Sequence, residues 1–288
     1  MPIVTPRKIM LATDLTPVGD RAFDRAVQLA QQWDAELVVC HVIEASSMKP
    51  WGGERRVHNA NTELERLVRA SPLAGKLVHH IIIGDPAELV LQLARETGCD
   101  FIVTGPAHGR VLGEKLFGST AARIMRRAIQ PVLSVRRRPE GPYRDVVAAV
   151  DFSDASLLAV RRGREMFPEC RLTAVHAYRV APDWSGRDAE KTLDIVESEE
   201  RKRVLAAARL EMEDFLSALG DASRSIETEL MEGSADAMLA DIIEKRWPDL
   251  VVTGTHGHAG RREGSIGSVA ERLLTALGCD VLVVPAVA

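Results

Sequence analysis

Residues 249–285 read DLVVTGTHGHAGRREGSIGSVAERLLTALGCDVLVVP, and the fold follows from how this stretch is parsed. Leu250-Val251-Val252-Thr253 is too short for a helix and mostly β-branched, which marks a strand buried on both faces. Glycines at 254, 257, 260, 264 and 267 interrupt any regular element after it. Ser268 then opens an expected helix over 268–277, and Asp280–Val284 is a second β-branched strand. Strand and helix in alternation mean parallel strands with helices packed on the sheet.

Working outward, the same grammar occurs once before. DFIVTG at 100–105 matches DLVVTG at 249–254, and Gly118-Ser119 matches Gly267-Ser268. The run 131–135 matches 280–284, and Gly84–Glu88 matches Gly233–Ala237. All these pairs keep one offset of 149 residues, without a gap. Further upstream KIMLATDLT (8–16) matches DVVAAVDFS (145–153), and AELVVCHVI (35–43) matches CRLTAVHAY (170–178). Self-similarity of this length is an internal duplication. Its join lies in Arg136-Arg137-Arg138-Pro139-Glu140-Gly141-Pro142, where charge flanked by Pro and Gly marks a solvated linker. The expected domains are 1–138 and 142–288.

In the first half, strands are expected near 8–13, 36–43, 77–83, 100–104 and 131–135, with helices near 18–32, 59–70, 86–97 and 119–129. In the second, strands fall near 145–150, 171–177, 225–231, 249–253 and 280–284, with helices near 154–166, 189–219, 235–246 and 268–277. Leu205, Ala208, Met212, Phe215 and Leu219 recur at steps of three and four, one apolar face of a helix. The fold class is therefore α/β: two tandem, doubly wound domains, each with a five-stranded parallel sheet. The apolar strands 131–135 and 280–284 fall at sheet edges, and exposed edges seek partners. Pairing them within the chain gives a pseudo-dimer, which leaves a further homodimer open.

Composition excludes several classes. Of 288 residues, 46% are hydrophobic and 27% charged, which suits ordinary cores, while aromatics are scarce at 4%. The net charge of −4 and a pI near 6.1 argue against a nucleic-acid binder. No apolar stretch approaches the roughly 20 residues of a membrane span, and since Lys8–Ala12 already reads as a first strand, no signal peptide is expected. Cys40, Cys99, Cys170 and Cys279 lie in or beside apolar runs without a C-x-x-C, so free thiols in a reducing, cytoplasmic setting are expected.

Chemistry concentrates where the strands end. In the second half Asp151 closes the first strand, Gly254 and Gly257 follow the fourth, and Gly267-Ser268 opens the last helix. Glycines let backbone approach a ligand, and free N–H groups at a helix start favour a phosphate. Ser268 suits a helix cap or a phosphate donor, and Asp151 can accept from ribose hydroxyls or an adenine amine. His256, His258, Arg261 and Arg262 add positive charge to the loop.

An Asp after strand one and G-x2-G-x9-G-S after strand four, in this strand context, resemble the universal stress protein family over nearly the whole chain, twice. The resemblance implies an adenine nucleotide, ATP foremost, with or without magnesium. It places Asp151, Gly254, Gly257, Gly267, Ser268 and Val269 on the nucleotide and backbone near Ala177 against the adenine. In the first half Asp14, Val42, Gly105, Gly118 and Ser119 hold the matching places. There His108 replaces the middle glycine and Gly109 comes one residue late, so the first site is degenerate or altered in its ligand.

No catalytic signature accompanies this. Gly109–Lys115 fails the spacing of a G-x4-G-K-[ST] loop, and neither a G-x-G-x-x-G fingerprint nor a G-x-S-x-G elbow occurs. Glu263 is a lone loop carboxylate. His79 and His80 point to opposite faces of a strand, and no Cys/His set has zinc spacing, so no metal is expected. His41 and His176 end matching strands, where a hydrogen-bonded role is expected. The expected function is a stress-response regulatory module with an unidentified protein partner. The alternatives are an interaction scaffold without nucleotide and a slow ATP hydrolase.

Overall fold

The computed structural model describes residues 5–17, 19–45, 53–73, 75–106, 119–180, 190–255 and 278–286, without the side chains of 190–198. The first half contains β1 (Lys8–Thr13), α1 (Gly19–Trp33), β2 (Glu36–Glu44), α2 (Gly53–Ala70), β3 (Leu77–Gly84), α3 (Pro86–Glu96), β4 (Phe101–Thr104), α4 (Thr120–Arg127) and β5 (Val132–Ser134). The second contains β6 (Asp145–Ala149), α5 (Asp154–Met166), β7 (Arg171–Tyr178), α6 (Glu190–Leu219), β8 (Ile226–Glu232), α7 (Ala235–Arg246), β9 (Leu250–Gly254) and β10 (Asp280–Val284). The helix expected over 268–277 lies outside the described residues. Helix α2 begins six residues before its expected start at 59. Only Ala60 and Leu64 of α2 are buried, so its first turns carry no apolar period to betray them.

The ten strands form one sheet in the order β3-β2-β1-β4-β5-β10-β9-β6-β7-β8. Every pairing is parallel except β5 with β10, which is antiparallel. In that pair Leu133 faces Leu282, its own counterpart in the repeat, with Val132 opposite Val283 and Ser134 opposite Val281. The two apolar edge strands thus satisfy each other at the centre of a continuous sheet. The strand order reads the same from either end, so the halves are related by a pseudo-twofold axis through Leu133 and Leu282.

Alternation along the strands feeds two cores. On β1, Ile9 and Leu11 pack beneath α1, while Met10 faces the layer of α3 and α4. The first face also takes Leu64 of α2, Ala159 and Val160 of α5, and Met212, Phe215 and Leu219 of α6. Four aromatics gather where the halves meet on this face. Trp33 stands edge-on to Phe101 at 5.2 Å and lies 5.8 Å from Phe167 of the second half. Tyr143 meets Phe167 edge-on at 5.2 Å.

Two recurrent carboxylates fix the central strands. Asp100 accepts from the backbone N–H of Arg7 and Lys8, and Asp249 does the same for Arg144 and Asp145. The Asp that opens each DFIVTG-like run is therefore an anchor for β1 or β6. Asp85 and Ser234, also repeat mates, cap α3 and α7 by accepting from Glu88 and Ala237 N–H.

One device has no counterpart in the repeat. Asp280, fully buried, stands where the first half has Pro131. Its Oδ1 accepts from the N–H of Arg136 at 2.7 Å and of Arg137 at 3.1 Å. Its Oδ2 accepts from the Tyr143 hydroxyl at 2.6 Å and lies 3.6 Å from Arg25 Nε. The Arg25 guanidinium covers the Tyr143 ring at 4.0 Å and donates to the carbonyl of Gly141. Helix α1, the linker and β10 are tied at one buried carboxylate. Burial and this carboxylate push the Tyr143 phenol well above its usual range.

The four cysteines are free and buried. Burial pushes Cys40 up to about 12, and Cys170 and Cys279 to about 11, so these thiols stay protonated and unreactive at neutral pH. Among the described residues, no helix is long and apolar enough to cross a membrane. Nor does any group of three or more His, Cys, Asp and Glu side chains among them have the arrangement to hold a metal ion.

Candidate functional site

Open α/β sheets expose a crevice where the strand order reverses, beyond the carboxyl ends of the strands. Here that happens between β1 and β4, and again between β6 and β9. Asp151 follows β6, Gly254 ends β9, and Ala177 lies on β7, the other neighbour of β6. The structure therefore brings Asp151, Ala177 and Gly254 to one sheet edge at the reversal. Gly257, Gly267, Ser268 and Val269, with His256, His258, Arg261, Arg262 and Glu263, lie outside the described residues. In the first half Asp14 follows β1, Val42 lies on β2 and Gly105 follows β4. Gly118 and His108 lie outside the described residues, and Ser119 caps α4 by accepting from Ala122 N–H at 3.2 Å.

The two aspartates make the same turn. Asp14 Oδ1 accepts from Thr16 N–H at 3.0 Å and from its hydroxyl at 2.7 Å. Asp151 Oδ1 accepts from Ser153 N–H at 3.1 Å and from its hydroxyl at 2.5 Å. Each hydroxyl oxygen then accepts from the helix that follows, Thr16 from Gly19 N–H and Ser153 from Ser156 N–H. The aspartate thereby orients the cap, and the cap sets where the helix begins. The sequence showed the hydroxyl residue at both positions, yet gave it no role of its own.

The residue between Asp and hydroxyl is left-handed in both halves, with φ of 58° at Leu15 and 63° at Phe152. A non-glycine residue there costs about 1–2 kcal/mol. Turn hydrogen bonds and packing offset that cost: Leu15 and Phe152 both pack against the first core. Phe152 also stacks on His176 at 4.1 Å. His176 Nδ1 donates to the carbonyl of Val150, and His41 Nδ1 to that of Thr13, each at 2.9 Å. These imidazoles brace the ends of β6 and β1.

The glycines differ between the halves. Neither Gly105 nor Gly254 has a positive φ. Gly254 is instead a close-packing position: a Cβ there would meet the backbone of Ala155 at 3.0 Å. Around Gly105 no described atom lies within 4 Å of an added Cβ. Gly254→Ala is therefore expected to lower stability by about 1–3 kcal/mol through overpacking against α5. Gly105→Ala should change it by less than about 0.5 kcal/mol. Urea midpoints of the two variants test this, and equal losses would contradict it. The loop mouth is also tied down: Thr255 N–H donates to the carbonyl of Val284, and Thr255 Oγ1 accepts from Ala286 N–H.

Comparison with known proteins agrees with this arrangement. The profile of the Universal stress protein family matches residues 5–136 and again 142–285. A universal stress protein of Methanocaldococcus jannaschii is 30% identical over 156 residues, covering 52% of this chain and 87% of the relative. Universal stress protein A homolog 1 of Coxiella burnetii is 34% identical over 139 residues, 45% of this chain and 95% of the relative. Among solved structures, a universal stress protein from Archaeoglobus fulgidus superposes with a TM-score of 0.67 at 17% identity, covering 96% of this chain and 97% of that one. A protein of unknown function from Pseudomonas aeruginosa gives 0.63 at 18% identity, over 98% and 93% of the two chains. With its profile matched on both halves and its strand order mirrored across β5 and β10, the chain belongs to the universal stress protein family.

Proposed function

We propose that the chain is a stress-response regulatory protein that binds an adenine nucleotide, ATP foremost, mainly in its second half. The observation that carries this reading is the meeting of Asp151, Ala177 and Gly254 at the reversal point between β6 and β9. On this reading Asp151 accepts from the nucleoside, backbone at Ala177 faces the base, and Gly254 starts the phosphate loop. Gly257, Gly267, Ser268 and Val269 complete it, as the family pattern implies. The Ser119 cap supports a dual role for its repeat mate Ser268: the oxygen accepts from a helix N–H while the hydroxyl hydrogen remains for a phosphate oxygen. Asp14, Val42, Gly105, Gly118 and Ser119 form the corresponding, altered site of the first half. The working units are 1–138 and 142–288, and four buried free thiols suit a cytoplasmic setting.

Thermal-shift titration with ATP, ADP and AMP tests this. Ligand at a hundredfold over its dissociation constant adds about 2.7 kcal/mol to the unit that binds it. Gly257→Glu should remove the shift while leaving the circular dichroism of the fold unchanged. A shift of equal size in that variant, or none in the parent, would overturn the assignment. His108 in the first loop favours one further role: that half serves as a scaffold for a protein partner.

A further inference from the structure

We propose that the groove between the start of α1 and the linker 136–144 is a second ligand site, independent of the nucleotide reading, that takes a small polyphosphate anion. The groove has a volume of about 1100 Å³ and is lined by Arg21, Arg25, Arg136, Arg137, Arg138 and Arg144. In the sequence three linker arginines amount to a solvated turn. The fold adds two from α1 and one from the approach to β6, in a protein whose net charge is −4. The cationic field is therefore local. Two carboxylates, Glu140 and Asp249, share the lining, and Asp249 already holds the N–H groups of Arg144 and Asp145.

Arg25 is committed to Asp280, Tyr143 and Gly141, whereas Arg137, Arg138 and Arg144 are positioned yet only partly used. Arg21 Nη1 donates to the carbonyl of Arg136 at 2.8 Å, which ties α1 to the linker. Arg137 lies over the Trp247 ring at 4.4 Å and donates to the carbonyls of Pro248 and Gly278. Its Nη2 is buried and has no hydrogen-bond partner among the described residues. Among the described residues Arg138 reaches only Asp24, at 3.5 Å, and the Arg144 guanidinium has no partner. A guanidinium keeps its charge at any physiological pH and grips phosphate through paired N–H groups. Strand β5 runs parallel to β4, so the linker leaves the sheet on the edge that carries Asp14 and Gly105. Pro17, three residues after Asp14, forms part of the wall. The volume is near that of a small-molecule cleft, and a half-open groove of this size on an acidic protein does not offer the long basic stripe a nucleic acid follows.

The test is calorimetric titration of the full chain with sodium tripolyphosphate at low salt. The parent, the double variant Arg138→Gln/Arg144→Gln and Gly257→Glu are compared. Both arginines are exposed, so the double variant should keep the parent's circular dichroism. At the groove it should bind about a hundredfold more weakly, near tenfold for each lost charge-assisted contact, while Gly257→Glu, whose second-half phosphate loop is blocked, keeps the groove's binding at parent strength. Binding that survives in the double variant but vanishes in Gly257→Glu would put the anion in the second-half loop and overturn the proposal. So would no binding by the parent, or capture of a single-stranded oligonucleotide by a parent that ignores tripolyphosphate. Failure to bind ATP beside intact tripolyphosphate binding would overturn only the nucleotide reading.

Discussion

Asp280→Ala is expected to cost the chain about 3–5 kcal/mol, the range for removing one member of a buried, hydrogen-bonded ion pair. The size follows from what the carboxylate leaves behind. The Arg25 side chain is 6% exposed and would keep its charge without the partner 3.6 Å away. The Tyr143 hydroxyl and the N–H groups of Arg136 and Arg137 would lose their acceptor in the same step. Asp280→Asn keeps one acceptor oxygen and the shape, so it should lie between alanine and the parent. Tyr143→Phe, which removes a single donor to a charged group, should cost about 1.5–3 kcal/mol. A lowered urea midpoint at unchanged slope is the expected signature. A loss below about 1 kcal/mol for Asp280→Ala would show that water reaches the site and replaces the carboxylate.

Trp33→Ala is expected to be of similar size, about 3–5 kcal/mol, for a different reason. Trp33 ends α1, is 8% exposed, and fills the space between Phe101 of its own half and Phe167 of the other. Its indole N–H also donates to the carbonyl of Met166 at 3.2 Å, across the seam. Alanine would open a cavity and strand that carbonyl together. Trp33→Phe keeps most of the ring area and isolates the hydrogen bond, worth about 1 kcal/mol. Combined with Phe167→Ala, the alanine variant should lose less than the two single losses summed, because the rings share one contact. Calorimetric unfolding would show this, and strict additivity would mean the two rings do not support each other.

Both predictions concern the seam, which is where reading the sequence reached least far. Within each half the strands fall where alternation and β-branching place them: β1 over 8–13 and β10 over 280–284 coincide with expectation. A strand three to eight residues long announces itself through neighbours in the chain, and so does a helix with an apolar face. Polar turns do not, which is why α2 starts earlier than its periodicity implies. The candidate site was legible to the same depth. Asp14 and Asp151 stood out because the repeat printed them twice. The left-handed turns at Leu15 and Phe152 did not, since apolar side chains carry no mark of positive φ. Gly254 read as room for a ligand, whereas the approach of Ala155 also requires its missing Cβ.

The sequence by itself determined the duplication, the α/β class, the order of elements and the residues that crown the strand ends. All of these are encoded in local period, spacing and turn chemistry. Only the tertiary structure decided that Leu133 lies against Leu282, that the two sheets become one, and that Asp280 lies buried beneath Arg25 and Tyr143. It also decided that six arginines from α1 and the linker line one groove. Those contacts join residues more than a hundred positions apart. Their energies depend on what burial removes from water, and no stretch of chain carries that information until the halves have packed.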